Sequence, residues 1–523
     1  MSQTPLNPVD PDSPVAPVPA PAPSGRARAV SGAAWTTVSQ LIGQPLRIIS
    51  NVLLAYLVPQ DAFGKMQIVG ALNQGINSFS DLGVGTAIVK RKAEPDENFL
   101  ATAWTMQVIR GCVISLIGML LSVPLAFLYQ DPQNPWQSLL PVFLASTATL
   151  AITGFVSLNN HLAVRHLKLR LCSIFDIVAQ VIGLAAGLII AYITRNVWAL
   201  VLGNVATSLA RVILSFVMFP GPLMRFHTDQ EARKELLGFA RWILISTILT
   251  FAAAQADRFI FPKLVNNLEL TALFGLAMSF GLVPQDIVNR IAYAVLMPAL
   301  SRARETHEIP ANQYRDASIV ILLVTGLMTA ALAAVVPGFI TLAYPAKFHP
   351  AVALMPWVAL LAWFRVLQST GTSTLLALDL PKQVVKSNII KLVALLVCMP
   401  AGFYIARHYF GTADPLPGML GAMAGLLVSD IIKQGSIMLS LRKAGLHGIR
   451  REAAFTGYLL VAIAAGLGIH QLCAWQQWHA LVEMTIAGLA VLLIYSPGFA
   501  AAWRLAGPHL PFFKRFAKPT KPI

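Results

Sequence analysis

The chain has 523 residues, of which 56% are hydrophobic and 12% are charged, and its net charge is +16. Soluble domains average about 25% charged residues, so this composition excludes an ordinary soluble domain and is typical of a polytopic membrane protein. The positive charge does not indicate nucleic-acid binding, because the basic residues form short runs between apolar segments and no single basic face.

Residues 1–30 are rich in proline and contain no apolar core of the kind found in cleaved signal peptides. We predict that this segment is disordered and that the first membrane helix serves as an uncleaved targeting signal. The four cysteines lie in apolar runs, and no Cys/Cys or Cys/His spacing indicates a metal site. We therefore expect neither a metal nor another cofactor.

Fourteen apolar segments follow in chain order, each long enough to cross a bilayer, which takes about 20 residues. The predicted fold is therefore all-α, with about 14 transmembrane helices. The loops are short, and the longest, at 220–238, is amphipathic. The predicted helices are 33–57, 66–89, 100–128, 138–160, 171–193, 196–219, 239–264, 271–299, 316–343, 351–377, 386–406, 416–440, 453–474 and 480–503.

The distribution of lysine and arginine over the loops predicts which side of the membrane each loop faces. The amino terminus, every second loop and the carboxyl tail together carry 26 of these residues, whereas the alternate loops carry 5. Cytoplasmic loops are the ones enriched in positive charge. Both termini are therefore predicted to be cytoplasmic, and the basic run Lys90, Arg91, Lys92 marks a cytoplasmic helix end.

The sequence also repeats weakly at a shift of 211 residues, which relates Arg47 to Arg258, Phe63-Gly64 to Phe274-Gly275, and Gln74 to Gln285. Two pseudo-symmetric six-helix bundles would give this offset, and an even number of helices makes the repeats parallel. Chance matching between apolar segments is the alternative. The predicted domains are a disordered amino terminus (1–30), a first bundle (31–219), a linker (220–238), a second bundle (239–441), a helix pair (453–503) and a basic tail (504–523).

Thirteen charged residues fall inside the predicted helices, where a charge at the bilayer centre costs about 2.5–3.5 kcal/mol even on the lenient insertion scale. Most of these side chains must therefore face the protein interior or water. Asp286 and Arg290, like Asp430 and Lys433, lie three or four residues apart and are predicted to pair on their own helices. The set is Arg47, Arg110, Arg211, Arg258, Arg290, Arg365, Lys391, Lys433, Asp81, Asp176, Asp257, Asp286 and Asp430.

Five of the interior arginines are the candidate substrate ligands. Because arginine stays charged and presents a planar fork that suits phosphate or carboxylate, these residues predict a hydrated cationic cavity for an anionic substrate. Structural ion pairs between helices, with Asp81 or Asp176 as partners, are the alternative. The candidates are Arg47, Arg110, Arg290 and Arg365, which lie mid-helix, and Arg211, which lies nearer a helix end.

Asp81 lies roughly 12 Å inside the predicted cytoplasmic end of its helix, at about 1.5 Å per residue. An isolated carboxylate in a low-dielectric setting binds a proton reversibly, which suits a proton-coupled step. A salt bridge to an interior arginine is the equally weighted alternative. Asp286 is the second candidate for ion or proton coupling. No Walker A, GxSxG or HExxH motif occurs, so we expect an ion gradient to supply any energy needed.

The stretches LLAYLVPQDAFGKMQIVGAL and SFSDLGVGTAIVKRKAEPDENFLATAW resemble the Wzx-like polysaccharide-transport family. This family belongs to the multidrug/oligosaccharidyl-lipid/polysaccharide (MOP) exporter superfamily. The motif resemblance covers about residues 31–110, and the helix count and two-half layout agree over the rest. It implies a MATE-like architecture, in which the two six-helix bundles are followed by a carboxyl-terminal helix pair.

The resemblance also implies a function. Such proteins are flippases that move a polyprenyl-diphosphate-linked sugar repeat unit from the cytoplasmic to the periplasmic face of the bacterial inner membrane by alternating access. The implied partners are this lipid-linked oligosaccharide, membrane lipid, and a polysaccharide polymerase or export machinery. The interior arginines would then hold the diphosphate or acidic sugars.

Three other functions are weighed against the flippase. A drug or small-cation exporter of the same superfamily should have an acidic interior, whereas interior cations outnumber acids here. A peptidoglycan-precursor flippase would share the fold and differ in substrate. A membrane glycosyltransferase or polymerase usually places its catalytic residues in a large loop, and no predicted outer loop approaches that size. We therefore expect a transporter and not an enzyme.

Overall fold

The structure is a computed structural model. It describes residues 25–80, 85, 88, 95–222, 224–229, 251–306, 311–411, 415–446, 448–476 and 478–506. Within these ranges it describes side chains except at 25–34, 36–41, 79–80, 289–314, 316–317, 449 and 501–506. Every regular element of the described ranges is helical.

The first half of the chain contains seven described helices, of which α5 is short. They are α1 (Gly25–Leu57), α2 (Gln60–Ser80), α3 (Glu97–Leu128), α4 (Trp136–Gly154), α5 (Asn159–Arg165), α6 (Leu169–Thr194) and α7 (Trp198–Met218).

The second half contains six described helices, and a further pair follows it. A 3-10 segment, Ala346–Leu354, precedes α11. The helices are α8 (Asp257–Val265), α9 (Leu268–Thr306), α10 (Ala311–Ala343), α11 (Met355–Ala377), α12 (Pro381–Phe410) and α13 (Leu416–Lys443), then α14 (Ile449–Trp475) and α15 (Ala480–Ala506).

Eleven helical spans in the described ranges are long and apolar enough to cross a membrane. Each of the fourteen predicted segments overlaps a helix, although the seventh, 239–264, is described only from residue 251. The predicted all-α polytopic fold is confirmed. The helices extend beyond the apolar runs because polar residues form their ends: α2 begins at Gln60, not at 66, and Asp61 pairs with Lys65 at 2.8 Å in its first turns.

The two halves use the same helix pairs. In the first half α6 packs along α7 and α4 also contacts α7, and in the second half α12 packs along α13 and α11 also contacts α13. Glycines permit the closest of these approaches. A Cβ added at Gly402 of α12 would lie 2.2 Å from the carbonyl oxygen of Gly421 on α13, so neither position has room for a side chain.

A backbone turn recurs at equivalent places in the two halves and supports the predicted repeat. Leu167, before α6, and Asp379, before α12, both have left-handed φ angles, of 57° and 58°. In both turns the next N–H bonds five residues back, from Lys168 to Ala163 and from Leu380 to Leu375. This is the Schellman arrangement that closes a helix. The domain boundaries stay a prediction.

The final helix pair packs on the second half. Both α14 and α15 lie against α10, and they contact each other. His470 of α14 and Glu483 of α15 are joined at 2.7 Å between Nδ1 and Oε1. The indole Nε1 of Trp363, buried in α11, donates to Thr456 of α14 at 3.0 Å. The pair therefore extends the second bundle on one side only.

The halves meet most closely where α2 contacts α9. A Cβ at Gly64 would lie 2.0 Å from the carbonyl oxygen of Leu268, so only glycine fits this approach. Close by, the ammonium of Lys347 donates to the carbonyl of Val58 at 2.7 Å. These contacts lie at the ends of the helices that the charge count assigns to the periplasm, and they hold the halves together there.

The described part of the predicted linker, residues 224–229, has no regular secondary structure and lies along α3. The backbone N–H of His227 donates to the Thr105 hydroxyl at 3.0 Å, and that of Asp229 donates to the Thr102 hydroxyl at 3.1 Å. This segment is therefore fixed to the first half. The rest of the predicted linker lies outside the described residues.

Candidate functional site

A cavity of about 790 Å³ lies within the first half. Helices α1, α2, α6 and α7 form its walls, and all its described lining residues come from these four helices. This volume is within the range of about 300–1,000 Å³ for ligand pockets. The polar and glycine residues that line it are Gly43, Gln44, Arg47, Ser50, Asn51, Gly70, Asp176, Gln180, Gly183, Gly187, Gly203, Asn204, Thr207 and Arg211.

On α1 the polar lining follows from helical periodicity. Gln44, Arg47 and Asn51 are spaced at i, i+3 and i+7, so all three side chains lie on one face of the helix. Leu54 continues the same face and is apolar. The cavity side of α1 is thus polar towards residue 44 and apolar towards residue 54.

Helices α6 and α7 each present a similar stripe. On α6 the stripe is Asp176, Gln180 and Gly183, and on α7 it includes Asn204 and Arg211. The spacings are again those of one helical face. The walls therefore combine amide side chains, which both donate and accept hydrogen bonds, with glycines that leave space between the helices.

Arg47 is the half-buried cation of the α1 stripe. Its Nη2 atom donates to the side-chain oxygen of Gln44 at 2.7 Å. In the described part of the chain, the hydrogen bond of this guanidinium goes to a neutral amide and not to a carboxylate. Among the described side chains, its positive charge therefore has no carboxylate in direct contact, which leaves it available to bind an anion.

Arg211 faces the same cavity but has an acidic partner. Its Nη2 lies 3.0 Å from the Asp176 carboxylate, with 44% of the Arg211 side chain and 56% of the Asp176 side chain exposed. Exposed ion pairs of this kind contribute about 0–1 kcal/mol. Counting Arg47, Arg211 and Asp176, the described lining carries one positive charge in excess.

This arrangement suits a ligand that is both hydroxyl-rich and anionic. Amide side chains match sugar hydroxyls because each carries a donor group and an acceptor atom. A guanidinium binds phosphate or carboxylate oxygens through two parallel N–H groups. The cavity thus offers one anion-binding position beside several hydroxyl-binding positions.

Of the other predicted substrate arginines, Arg110 and Arg365 are not among the described residues that line this cavity. Arg110 of α3 donates to the backbone and side-chain oxygens of Asn77 on α2, both at 3.0 Å. Arg290 lies in α9, but its side chain is outside the described residues, and so is Asp81. Asp286 lies between the halves, where it accepts from the Gln44 amide at 3.2 Å. The roles predicted for these residues stay predictions.

Arg365 lies in a buried ion-pair network of the second half and not in the cavity lining. Its Nη2 lies 3.0 Å from the Asp257 carboxylate of α8, and its Nε lies 3.6 Å from Asp430 of α13. The Arg365 side chain is 14% exposed, while those of Asp257 and Asp430 are 2% and 0% exposed. For Arg365, the structure therefore agrees with the alternative interpretation from the sequence, which is a structural ion pair between helices.

Lys391 completes this network. Its ammonium lies 2.6 Å from Asp430, and Gln368 donates to the same carboxylate at 2.9 Å. In the described part of the chain, Asp430 thus pairs with cations from two other helices, and the predicted pairing with Lys433 on its own helix is wrong. The four charges of Asp257, Arg365, Asp430 and Lys391 sum to zero, so each carboxylate of the network already contacts a cation of the protein.

Sequence reasoning missed the amide side chains of the cavity. It searched only for charges inside predicted helices, and Gln44, Asn51, Gln180 and Asn204 carry none. These amides could have been found from the sequence, because each lies three, four or seven residues from a charged or small residue of the same stripe. A search for polar residues at helical spacing around each interior arginine would have found them.

Comparisons with known proteins agree with this structure. A family profile described as "Polysaccharide biosynthesis protein" matches residues 53–353. The lipopolysaccharide biosynthesis protein WzxC of Escherichia coli (strain K12) is 22% identical over 353 residues, which are 66% of this chain and 68% of WzxC. The resemblance to the Wzx-like polysaccharide-transport family is confirmed.

Solved structures show the same fold. The lipid II flippase MurJ, in an inward closed conformation, superposes with a TM-score of 0.60 at 11% identity, covering 90% of this chain and 98% of MurJ. A multidrug resistance MATE family transporter of the MOP superfamily, in an inward-facing conformation, gives 0.58 at 14% identity, covering 82% of this chain and 99% of its own. By its sequence match over residues 53–353, the chain belongs to the polysaccharide biosynthesis protein family.

Proposed function

We propose that this protein is a flippase for a lipid-linked oligosaccharide. The substrate is a sugar repeat unit on a polyprenyl diphosphate, and the protein moves the head group, meaning the diphosphate with its sugars, across the membrane. The family match and the WzxC relative, named for lipopolysaccharide biosynthesis, support this class of substrate.

The cavity of the first half is the observation that carries the proposal. Arg47 supplies an uncompensated guanidinium for a phosphate, and the amides of Asn51, Gln180 and Asn204 supply partners for sugar hydroxyls. Arg211 is a second phosphate ligand once it exchanges Asp176 for the substrate. A cavity for organic cations would need an excess of carboxylates, and the described lining has the opposite balance.

The proposed location is the bacterial inner membrane, with both termini in the cytoplasm. The lysine and arginine distribution supports this orientation. The contacts at Gly64 and Lys347 then lie on the periplasmic side, which supports a state that is closed to the periplasm. A polysaccharide polymerase or export machinery is the proposed partner that receives the flipped unit.

An ion gradient is the proposed energy source, with Asp286 and Asp81 as candidate coupling carboxylates. Asp286 lies between the halves, where protonation would alter their contact. Transport also requires the two bundles to move relative to each other. The predicted bundle boundaries, 31–219 and 239–441, are the proposed moving units.

Deleting the gene in its host tests the function directly. We expect surface polysaccharide to be lost while polyprenyl-linked repeat units accumulate in membranes, unreachable by a glycosidase added outside the cytoplasmic membrane. Re-expressing the wild-type chain should restore both readouts.

Three outcomes would contradict the proposal. Normal surface polysaccharide after deletion would remove this protein from the pathway. Loss of repeat-unit synthesis in isolated membranes, with no accumulation, would instead show that the protein takes part in glycosyl transfer. Accumulation of peptidoglycan precursor in place of repeat units would assign it the related flippase activity.

A further inference from the structure

We propose that Gln44 is a positioning residue that couples head-group binding in the cavity to the contact between the two halves. Its amide joins Arg47, a cavity cation, to Asp286, a carboxylate of α9 in the second half. The inference rests on the proposed function, because it takes Arg47 as the ligand of the diphosphate.

The acceptor and donor ends of the Gln44 amide match its two charged neighbours. The Gln44 oxygen accepts from Arg47 Nη2 at 2.7 Å, and its nitrogen donates to Asp286 Oδ2 at 3.2 Å. A carboxamide has one end that accepts and one end that donates. Turning it over would put its oxygen against the carboxylate and its nitrogen against the guanidinium. The cation and the anion together therefore fix its orientation.

Gln44 differs in position from the other hydrogen-bonded bridges described between the halves. Gln74 accepts from Arg258 at 3.3 Å, and Val58 accepts from Lys347 at 2.7 Å, but neither of these first-half residues lines the cavity. In the described part of the chain, Gln44 belongs both to the cavity wall and to a bridge between the halves. A ligand in the cavity can thus act on this bridge directly.

A diphosphate in the cavity would compete with Gln44 for Arg47. A charged phosphate oxygen is a stronger acceptor for a guanidinium than a neutral amide oxygen. Once Arg47 turns to the phosphate, one of the two charges that orient Gln44 is withdrawn. The amide can then rotate away from Asp286, and the bridge between the halves weakens only when the cavity is occupied.

This coupling gives the transporter a means to move when loaded. A ligand shifts a conformational equilibrium only if it interacts differently with the two states. Here the difference is the bridge from Gln44 to Asp286, which is intact in the empty cavity and released in the occupied one. Coupling energies of this kind typically change populations by about 5- to 150-fold.

An exchange of amide and carboxylate tests the coupling. Gln44→Glu keeps the acceptor for Arg47 but places a carboxylate against Asp286, so we expect the bridge to open without ligand. Gln44→Glu with Asp286→Asn restores a donor facing an acceptor, so we expect the bridge to return. Gln383→Glu, at the Ser440 contact outside the cavity, is the matched control for adding a carboxylate.

The readout is the distance between the two halves in the full-length protein. Nitroxide labels replace Lys168, which is exposed just before α6, and Lys382, which is exposed in the first turn of α12, in a variant without native cysteines. The protein is reconstituted in phospholipid vesicles, and inorganic pyrophosphate serves as the head-group probe. Binding of pyrophosphate is measured separately by calorimetry.

We expect pyrophosphate to shift the wild-type distance distribution by about fivefold or more in population. Gln44→Glu should show the shifted distribution without pyrophosphate, and the double variant should recover the wild-type response. Gln383→Glu should behave as wild type throughout.

The failures are distinguishable. If the wild-type protein binds no pyrophosphate, or binds it equally well after Arg47→Ala, Arg47 is not the ligand of the diphosphate. That part of the proposed function is then contradicted, and so is the inference that rests on it. If pyrophosphate binds through Arg47 but the distance does not change, the site stands and the coupling is overturned. A double variant no closer to wild type than Gln44→Glu would overturn it as well.

Discussion

Two arginines that look alike in the sequence have opposite surroundings in the structure. Arg47, in the first half, is half-buried beside a cavity of about 790 Å³ and bonds to a neutral amide. Arg365, in the second half, lies between two buried carboxylates. The difference shows that depth in the membrane does not make an arginine a ligand; the decisive feature is whether protein carboxylates already neutralise it.

The two halves also differ in how tightly their interiors are packed. The second half has a packed interior, in which the rings of Phe261 and Phe274 stack at 4.0 Å and Trp363 is fully buried. The space between α10, α11, α13 and α14 holds a cavity of only about 20 Å³. Among the described residues, the space between α10, α11, α13 and α14 is thus nearly filled, whereas the space between α1, α2, α6 and α7 is open.

The largest expected effect of a single substitution is therefore in the second half. Arg365→Ala would remove the cation that contacts Asp257 and leave Asp430 in contact with Lys391 alone. Breaking a buried ion pair from one side costs about 3–5 kcal/mol, because the remaining charge is buried and unpaired. We expect a strong fall in the amount of folded protein in the membrane and in its melting temperature in detergent.

A charge-balanced pair of substitutions is the control. Lys391→Met alone removes one cation from Asp430, whereas Lys391→Met with Asp430→Asn leaves Arg365 and Asp257 as a balanced pair. We expect the double variant to melt at a higher temperature than Lys391→Met alone. Normal stability of Arg365→Ala would mean that the network is not structural, and Arg365 would return to the list of substrate ligands.

Much of this architecture could be predicted from sequence, whereas the contrast between the two arginines could not. The helices can be predicted from apolar runs of about 20 residues, because this pattern is local in the sequence. Arg365, in contrast, meets Asp257 across 108 residues and Asp430 on yet another helix. No spacing rule reports such partners, so a mid-helix arginine with distant acids looked the same as one without them.

A bulky residue in the cavity should have the next largest effect. Gly70 of α2 lines the cavity, and a Cβ built there meets no atom within 4 Å. Gly70→Trp would therefore fold normally and fill the space that the head group needs. We expect surface polysaccharide to fall nearly to the level of the deletion strain, with normal amounts of protein in the membrane.

Gly435 is the matched control in the second half. It is also an exposed helical glycine with open space around a built Cβ, but it lies on α13 away from the cavity. Gly435→Trp should export as wild type. Equal loss of export in both variants would show that bulk on the helix surface, and not occupation of the cavity, causes the defect.

Removing the uncompensated cation should have a graded effect. A hydrogen bond to a charged group contributes about 1.5–3 kcal/mol, which corresponds to roughly 12- to 150-fold in rate. We expect Arg47→Ala to lower export by about that factor at normal protein level, and Arg47→Lys to retain part of it because the charge remains and the planar fork is lost. Wild-type export in Arg47→Ala would take this residue out of the substrate path.

The smallest expected effect separates hydroxyl recognition from anion recognition within the cavity. Asn204→Ala removes one neutral partner, worth about 0.5–1.5 kcal/mol, or roughly 2- to 12-fold in export. Because a neutral hydrogen bond does not involve the diphosphate, pyrophosphate should bind this variant as it binds wild type, whereas Arg47→Ala should lose that binding. If Asn204→Ala instead lost pyrophosphate binding and kept normal export, the amides would serve the anion, and their assignment to sugar hydroxyls would be wrong.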